Sequence, residues 1–361
     1  MKAAVLYGKE DVRVEEIVPA ALQRGEVRVR IEAALTCGTD LKVFKRGYHA
    51  RMIVPPAVFG HELAGTVVEV GTLPVNLESG GSQERDHRGV PSRAWHVGDR
   101  IVVANSAPCG TCFHCRNDQE NLCQDLLFLN GAYAESIVVP RRLVEKNLLR
   151  LKPGTAFADA ALVEPLACVV QGLQELDLKA GERVLILGAG PIGLMFVALA
   201  RRAGCEVTVA GRREARLRVA RQLGAQQVID LGDGHGLVTK VREATPTHFD
   251  AVIEAVGQPV VWESAVHLVR KGGRVNFFGG CPSGTTVTFD TTLIHYSSLT
   301  LLASYHHTPQ TIRQALAHIE AGVIRAAEFV DGECALSRLP ELFHSMANGN
   351  RVVKTLVDVH K

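Results

Sequence analysis

The sequence predicts an α/β protein in two parts: an antiparallel, barrel-like β region followed by a doubly wound parallel sheet. Three observations carry this. Short Val/Ile runs broken by charge or glycine fill residues 1 to about 150. From about 165 onward, strand-like and helix-like segments alternate, the rhythm of a parallel sheet with crossover helices. Within that rhythm, "VLILGAGPIG" sets a G-x-G-x-x-G between a buried strand and a helix.

In the first part, "EVRVRIEAAL", "GTVVEVG", "DRIVVA" and "ESIVVP" read as strands. Residues 72–96, rich in Gly, Ser and charge, read as a surface loop. In the second part, "RVLILGAG" is a buried strand and "PIGLMFVALARRAG" a helix ending near Gly204. "EVTVAG" is a strand, and "REARLRVARQLGA" is a helix with Gly224 at its C-terminal cap. "QVIDL", "DAVIEAVG", "GRVNFFGG" and "LTLLASY" continue the strands. After about 306, "PQTIRQALAHIEAG" and "LPELFHSMANG" are amphipathic helices, and "KTLVDV" is a closing strand.

At 361 residues the chain has room for two or three domains. Its hydrophobic fraction of 47% and charged fraction of 22% suit a soluble globular protein. A formal net charge of +2 and 5% aromatics give no footprint for nucleic acid. The charged N-terminus carries no apolar secretory core. The uncharged run between Arg183 and Arg201 is seventeen residues, short for a membrane span and broken by glycines and a proline. Nine cysteines is an odd number. Metal in a reducing, cytoplasmic compartment is therefore expected rather than a disulfide framework.

Four of those cysteines, Cys109, Cys112, Cys115 and Cys123, lie in "CGTCFHCRNDQENLC" with spacing C-x2-C-x2-C-x7-C. Two-residue gaps let neighbouring thiolates converge on one ion, and the longer gap returns the fourth. Four thiolates would close a tetrahedral zinc site and leave no place for substrate, so such a site is structural. Four unrelated buried thiols and an iron–sulfur cluster are the alternatives. His114 is set aside because all four cysteines are well placed.

A second constellation is scattered. "TCGTD" holds Cys37, Thr39 and Asp40; "GHELAG" holds His61 and Glu62; "LVEPLA" holds Glu164. Each piece alone is ordinary, but together they offer the ligand types of an open catalytic zinc. In "GAGPIG", Gly188 permits the tight turn, Gly190 lets the backbone approach a pyrophosphate, and Gly193 permits close helix–sheet packing. Pro191 and Ile192 open the helix below it.

These motifs, in the order "CGTD", "GHELAGTVVEVG", the four-cysteine lobe, "VGDRI", "GAYAE", "VEPLAC" and "VLILGAGPIG", resemble the zinc-dependent medium-chain alcohol dehydrogenases across nearly the whole chain. The nearest branch is that of sorbitol/iditol (polyol) dehydrogenases. The resemblance implies a GroES-like catalytic domain from 1–165 and 306–361, with the zinc lobe at about 105–125, around a Rossmann domain at 166–305. It implies two zincs per subunit. Cys37 and His61 would bind the catalytic zinc, with Glu62 the third protein ligand or a very near neighbour. Glu164 would be a ligand or would hold the zinc-bound water; the ethanol-type branch has a cysteine there. Cys168, four residues on, is set aside. Asp40 would orient His61, and Thr39 would pass the substrate proton outward. The substrate cleft would lie between the domains, reached by "SYHHTP" with Tyr305, His306 and His307. For the two histidines, capping the next helix or facing solvent is the alternative. A homodimer or homotetramer is expected, paired through the apolar "RVNFFGG" and "LTLLASY" strands near a sheet edge.

The chain departs from the family's pattern in two places. Lys42 stands where a relay histidine often follows the "CGTD" motif. About twenty extra residues separate "VEVG" from "VGDR". The expected activity is hydride transfer between a nicotinamide cofactor and a secondary alcohol (a polyol, cyclitol or sugar-like compound) or its ketone. A zinc-free quinone or enoyl reductase and a non-catalytic nucleotide-binding sensor are the rivals.

The cofactor reading comes from the residues themselves. An NAD-binding sheet ends its second strand on Asp or Glu, about 20 residues past the glycines. Here that position is Gly211, followed by Arg212 and Arg213, with Arg216 one turn on. A carboxylate would repel a 2′-phosphate, whereas guanidinium groups bind it. NADP(H) is therefore expected over NAD(H). The alternative makes the arginines a solvated helix face, which leaves the absent acid unexplained.

Overall fold

The computed structural model describes residues 1–71, 95–232, 236–350 and 352–361. The expected loop at 72–96 therefore falls, over 72–94, outside the described residues. The chain divides into two compact units, Met1–Glu164 with Val330–Lys361, and Pro165–Phe329.

The first unit is built on a seven-stranded sheet. Its central strand, Val27–Leu35, buries Val27, Val29 and Ile31 and turns Arg28, Arg30 and Glu32 outward, the period of two that a half-buried strand requires. Glu62–Val70 pairs with it antiparallel on one side, with Leu35 opposite Glu62. On the other side the closing strand, Lys354–Asp358, pairs with Leu356 opposite Leu35. The end of the chain is thus stitched beside its beginning, and residues 36, 62 and 354 come together. Val330–Ala335 runs parallel to the closing strand. All other ladders in this unit are antiparallel, as expected of the β region.

The second unit is a six-stranded, all-parallel sheet. Its order is Gln227–Asp230, Glu206–Gly211, Arg183–Leu187, Phe249–Glu254, Val269–Phe277 and Thr300–Leu302. Numbered along the chain, that order is 3-2-1-4-5-6, so the topology switches direction between Arg183–Leu187 and Phe249–Glu254. Val184, Leu185, Ile186 and Leu187 are fully buried, as a strand covered on both faces demands.

One expected boundary moves. Residues 306–329 belong with the parallel-sheet unit, not with the catalytic unit as expected from 306 onward. The reason is packing. The helix Pro309–Glu320 buries Ile312, Ala315, Leu316 and Ile319, and Gln314 accepts a hydrogen bond from Gln174 at 2.9 Å within the same unit.

Candidate functional site

The strand Val27–Leu35 runs into Thr36, and Cys37 then caps the helix Gly38–Arg46. The cap is a two-way box. Cys37 Sγ accepts from Thr39 N at 3.4 Å, and Asp40 Oδ2 accepts from Cys37 N at 3.2 Å. Asp40 is fully buried and spreads its carboxylate over three neighbours. Beyond Cys37 N, Oδ2 accepts from the Tyr133 hydroxyl at 2.6 Å, and Oδ1 lies 2.8 Å from His61 Nδ1. One helix-capping carboxylate thereby fixes the thiol, the imidazole and a buried tyrosine.

Cys37, His61 and Glu62 bring one ligand atom each to within 4.8 Å of one another. His61 is buried, which disfavours its charge, but Asp40 and then Cys37 outweigh burial and raise its pKa well above the ordinary histidine value. Glu164 is also buried and falls outside that trio. Burial raises its carboxyl against the lowering effect of His61, to about 7. A cation among these donors would reverse that pressure and hold the carboxylates ionised.

Glu62 has a partner the sequence did not disclose. Lys354 Nζ donates to both of its oxygens, at 2.7 and 2.5 Å, and to Thr36 O at 3.0 Å. Both side chains are buried. Burial works against the ammonium, but Glu62 outweighs it, and the Lys354 pKa rises. Lys354 opens the expected closing strand, and only the pairing of that strand with Leu35 aims it at Glu62. Tyr133, from the "GAYAE" motif, was likewise legible as a motif residue and not as the partner of Asp40.

In the lobe, Sγ–Sγ distances are 3.6 Å for Cys112–Cys115 and 3.9 Å for Cys109–Cys115 and Cys112–Cys123. Metal–sulfur bonds of about 2.3 Å in a tetrahedron give sulfur–sulfur edges of about 3.8 Å. These three edges match a zinc-sized tetrahedron, and all four sulfurs lie within 4.8 Å of one another. Backbone N–H groups of Gly110, Thr111 and Cys112 donate to these sulfurs, as thiolates would require. The Thr111 amide is the main influence pulling Cys109 down to about 6, while burial pushes Cys115 up to about 12. All nine cysteines are free thiols.

The second unit carries the nucleotide motif. Gly188 has φ +111, and a Cβ at Gly193 would stand 1.9 Å from Gly188 O, so only glycine packs there. A Cβ at Gly190 would meet nothing within 4 Å, which leaves the backbone open to a phosphate. Pro191 is the first residue of the helix Pro191–Arg202, where its missing N–H costs no hydrogen bond, and Ile192 follows.

Gly211 ends its strand as expected, but packing supplies a reason for the glycine. A Cβ there would lie 2.8 Å from Ala189 Cβ. The absent acid is thus fitted to the turn as well as to any phosphate. Arg212 and Arg213 are exposed and Arg216 half-buried. Arg213 caps the helix Glu214–Gln222 at φ +73, a region that favours glycine. Tyr305 is 46% exposed, His306 has φ +63, and His307 is buried. The three rings adjoin in sequence, tilted by 31° and 32°, at 5.6 and 4.1 Å between centroids. The side chain that caps the next helix is Thr308.

Residues 23–148 match the alcohol dehydrogenase GroES-like domain, and residues 191–321 match the zinc-binding dehydrogenase domain. A D-altritol 5-dehydrogenase of Agrobacterium fabrum is 33% identical, covering 95% of each chain. An L-threonine 3-dehydrogenase of Pyrococcus furiosus is 33% identical over 83% of this chain and 80% of its own. A zinc-binding dehydrogenase from Sinorhizobium meliloti 1021 bound to NADP superposes with a TM-score of 0.85 at 28% identity, covering 99% of this chain and 98% of that one. The chain belongs to the zinc-dependent alcohol dehydrogenase family, and it is an enzyme of the oxidoreductase class. Within that family it falls in the polyol dehydrogenase-like branch. Among the described residues, no helix is long and apolar enough to cross a membrane.

Proposed function

We propose that the chain interconverts a secondary alcohol of a polyol, cyclitol or sugar-like substrate and its ketone, with NADP(H) as the redox partner. The observation that carries this is the convergence of Cys37, His61 and Glu62 within 4.8 Å, with Asp40 and Lys354 buried behind them. The D-altritol 5-dehydrogenase relative supports a polyol substrate.

When bound, zinc supplies Lewis acidity toward the substrate oxygen, and the nicotinamide supplies the hydride-accepting ring. Cys37 and His61 hold the catalytic zinc, together with Glu62 or Glu164. Asp40 holds His61 by Nδ1 and leaves Nε2 for the metal. Glu62 is the carboxylate within 4.8 Å of both Cys37 and His61, and Lys354 holds it in place. Thr39, two residues past Cys37, carries the hydroxyl proton outward. Tyr305, His306 and His307 contact substrate. The cysteines at 109, 112, 115 and 123 hold a second, structural zinc.

Gly188, Gly190 and Gly193 cradle the pyrophosphate above Pro191 and Ile192. Gly211 with Arg212, Arg213 and Arg216 receives the 2′-phosphate; the NADP-bound relative supports this. The strand Thr300–Leu302 is an edge of its sheet and is the surface for pairing into a homodimer or homotetramer. Nine free thiols suit the reducing cytoplasm.

The test is a panel of polyols, cyclitols, sugars and simple secondary alcohols, assayed with NADP and with NAD. Turnover of a polyol-like alcohol with higher kcat/KM for NADP supports the proposal. Turnover confined to another alcohol class, such as a 3-hydroxy amino acid, overturns the substrate reading. A preference for NAD overturns the cofactor reading.

A further inference from the structure

Glu254 is the last residue of the strand Phe249–Glu254 and is fully buried. That strand lies beside Arg183–Leu187, with Leu187 opposite Glu254, so the residue stands at the topological switch point of the sheet. Its side chain works mainly on backbone, with the Trp262 side chain also beside it. Oε1 accepts from Val256 N at 2.8 Å and from Gly257 N at 2.9 Å. Oε2 is buried against the Gly279 backbone; a Cβ built on Gly279 would stand 2.6 Å from it. The main-chain carbonyl of Glu254 accepts from Phe278 N and Gly279 N, at 3.0 and 2.8 Å.

Two loops meet at this carboxylate, 255–258 and 278–281. They touch through backbone, since a Cβ at Gly257 would lie 2.6 Å from Gly280 O. Trp262 Nε1 fastens the second loop by donating to Gly279 O at 2.9 Å. The first loop also reaches the phosphate turn, because a Cβ at Gly188 would lie 2.9 Å from Val256 Cγ2. Both loops follow the carboxyl ends of strands four and five. In an open parallel sheet those ends face the second half of a dinucleotide bound across the switch point. Burial raises the Glu254 pKa although the Gly257 and Val256 amides lower it, so an ionisable group is held here at a cost. A hydrophobic side chain would avoid that cost, but it could not tie the two amides.

We propose that Glu254 is a positioning residue for the nicotinamide half of the cofactor, fixing loops 255–258 and 278–281 against the Gly188 turn. This rests on the dinucleotide reading above. The adenosine half would lie over strands one to three, on the far side of the switch point from both loops. Removing the carboxylate should therefore separate the two halves. An amide in its place can keep its oxygen on the Val256 and Gly257 N–H groups, but it then turns an N–H donor toward the Gly279 and Trp262 N–H groups beside Oε2.

The experiment measures binding of NADPH and of 2′-phospho-ADP-ribose, which lacks nicotinamide, to the wild-type protein and to Glu254→Gln, together with kcat and KM for NADP. In the variant, NADPH affinity and kcat should each fall about tenfold, the effect of one buried hydrogen bond left unmade, with 2′-phospho-ADP-ribose affinity within about twofold of wild type. Equal loss of both ligands, or no change in either, would overturn the assignment. Should Glu254→Gln fail to fold, Val256→Ala removes the exposed contact with the Gly188 turn. It should give the same split at smaller size, and its absence would overturn the assignment equally. A wild type that binds 2′-phospho-ADP-ribose and NADPH no better than their NAD counterparts would fail the NADP reading and leave the positioning test to run with NADH and ADP-ribose.

Discussion

The lobe at 109–123 and the cluster around Cys37 both gather cysteine at a cation-sized space, but they are built in opposite ways. The lobe takes four donors of one kind from fifteen consecutive residues. Backbone N–H groups and the Thr111 hydroxyl support its sulfurs, and they come from the lobe and the two residues that follow it. The other cluster takes a thiol, an imidazole and a carboxylate from two strand ends. Its supports come from residues 36, 40, 133 and 354, brought in by the sheet. A closed set of thiolates can only hold structure, whereas a mixed set with buried acids and a base beside it can bind a reacting oxygen and tune it. The difference teaches that donor kind and support, more than cysteine count, mark where chemistry happens.

The comparison breaks most easily at the assembled cluster. Cys37→Ala or His61→Ala should take turnover to the assay floor; Cys37→Ala should leave the thermal midpoint nearly unchanged, whereas His61→Ala strands the buried Asp40 and should lower it, checked by steady-state kinetics and calorimetry. Lys354→Met should come next. It leaves the Glu62 carboxylate buried and uncompensated, at about 3–5 kcal/mol of stability. Pairing it with Glu62→Gln should cost less than the sum of the two single changes, which a denaturation double-mutant cycle reads directly. Cys112→Ser opens the lobe. Metal binding there is folding free energy, so the midpoint should drop by about 2–4 °C for each kcal/mol lost.

The sequence made the lobe legible because its spacing is local. Four cysteines at C-x2-C-x2-C-x7-C need no knowledge of the fold to converge. The glycine turn is legible for the same reason: strand, turn and helix are consecutive. Cys37, His61 and Glu164 lie far apart in the chain, and only the family resemblance joined them. Lys354 was beyond reach, because its approach to Glu62 follows from a pairing register between the two ends of the chain. The boundary at 306 misled because the helix Pro309–Glu320 follows the last parallel strand and still packs within that unit. At Gly211 the sequence shows only that the acid is absent; the packing against Ala189 follows from the three-dimensional turn.

Smaller effects sharpen the local side of the comparison. Arg212→Ala should lower the NADP-over-NAD ratio of kcat/KM by about tenfold, the worth of one charge-assisted hydrogen bond. Arg213→Gly should do two opposite things. Releasing a residue held at φ +73 should raise stability by about 1 kcal/mol, and removing its guanidinium should lower the NADP preference. A variant that lost stability would show that the Arg213 side chain packs more than it strains.

The most direct measurement is zinc per chain, by elemental analysis, set beside turnover for the wild type, Cys37→Ala and Cys112→Ser. Two zincs per chain are expected in the wild type. Cys37→Ala should retain the lobe zinc, keep its thermal midpoint and lose turnover. Cys112→Ser should lose the lobe zinc and stability, with turnover per remaining catalytic zinc preserved at temperatures where the fold survives. A Cys112→Ser protein that keeps wild-type stability and loses only turnover would contradict the division of labour between the two sites.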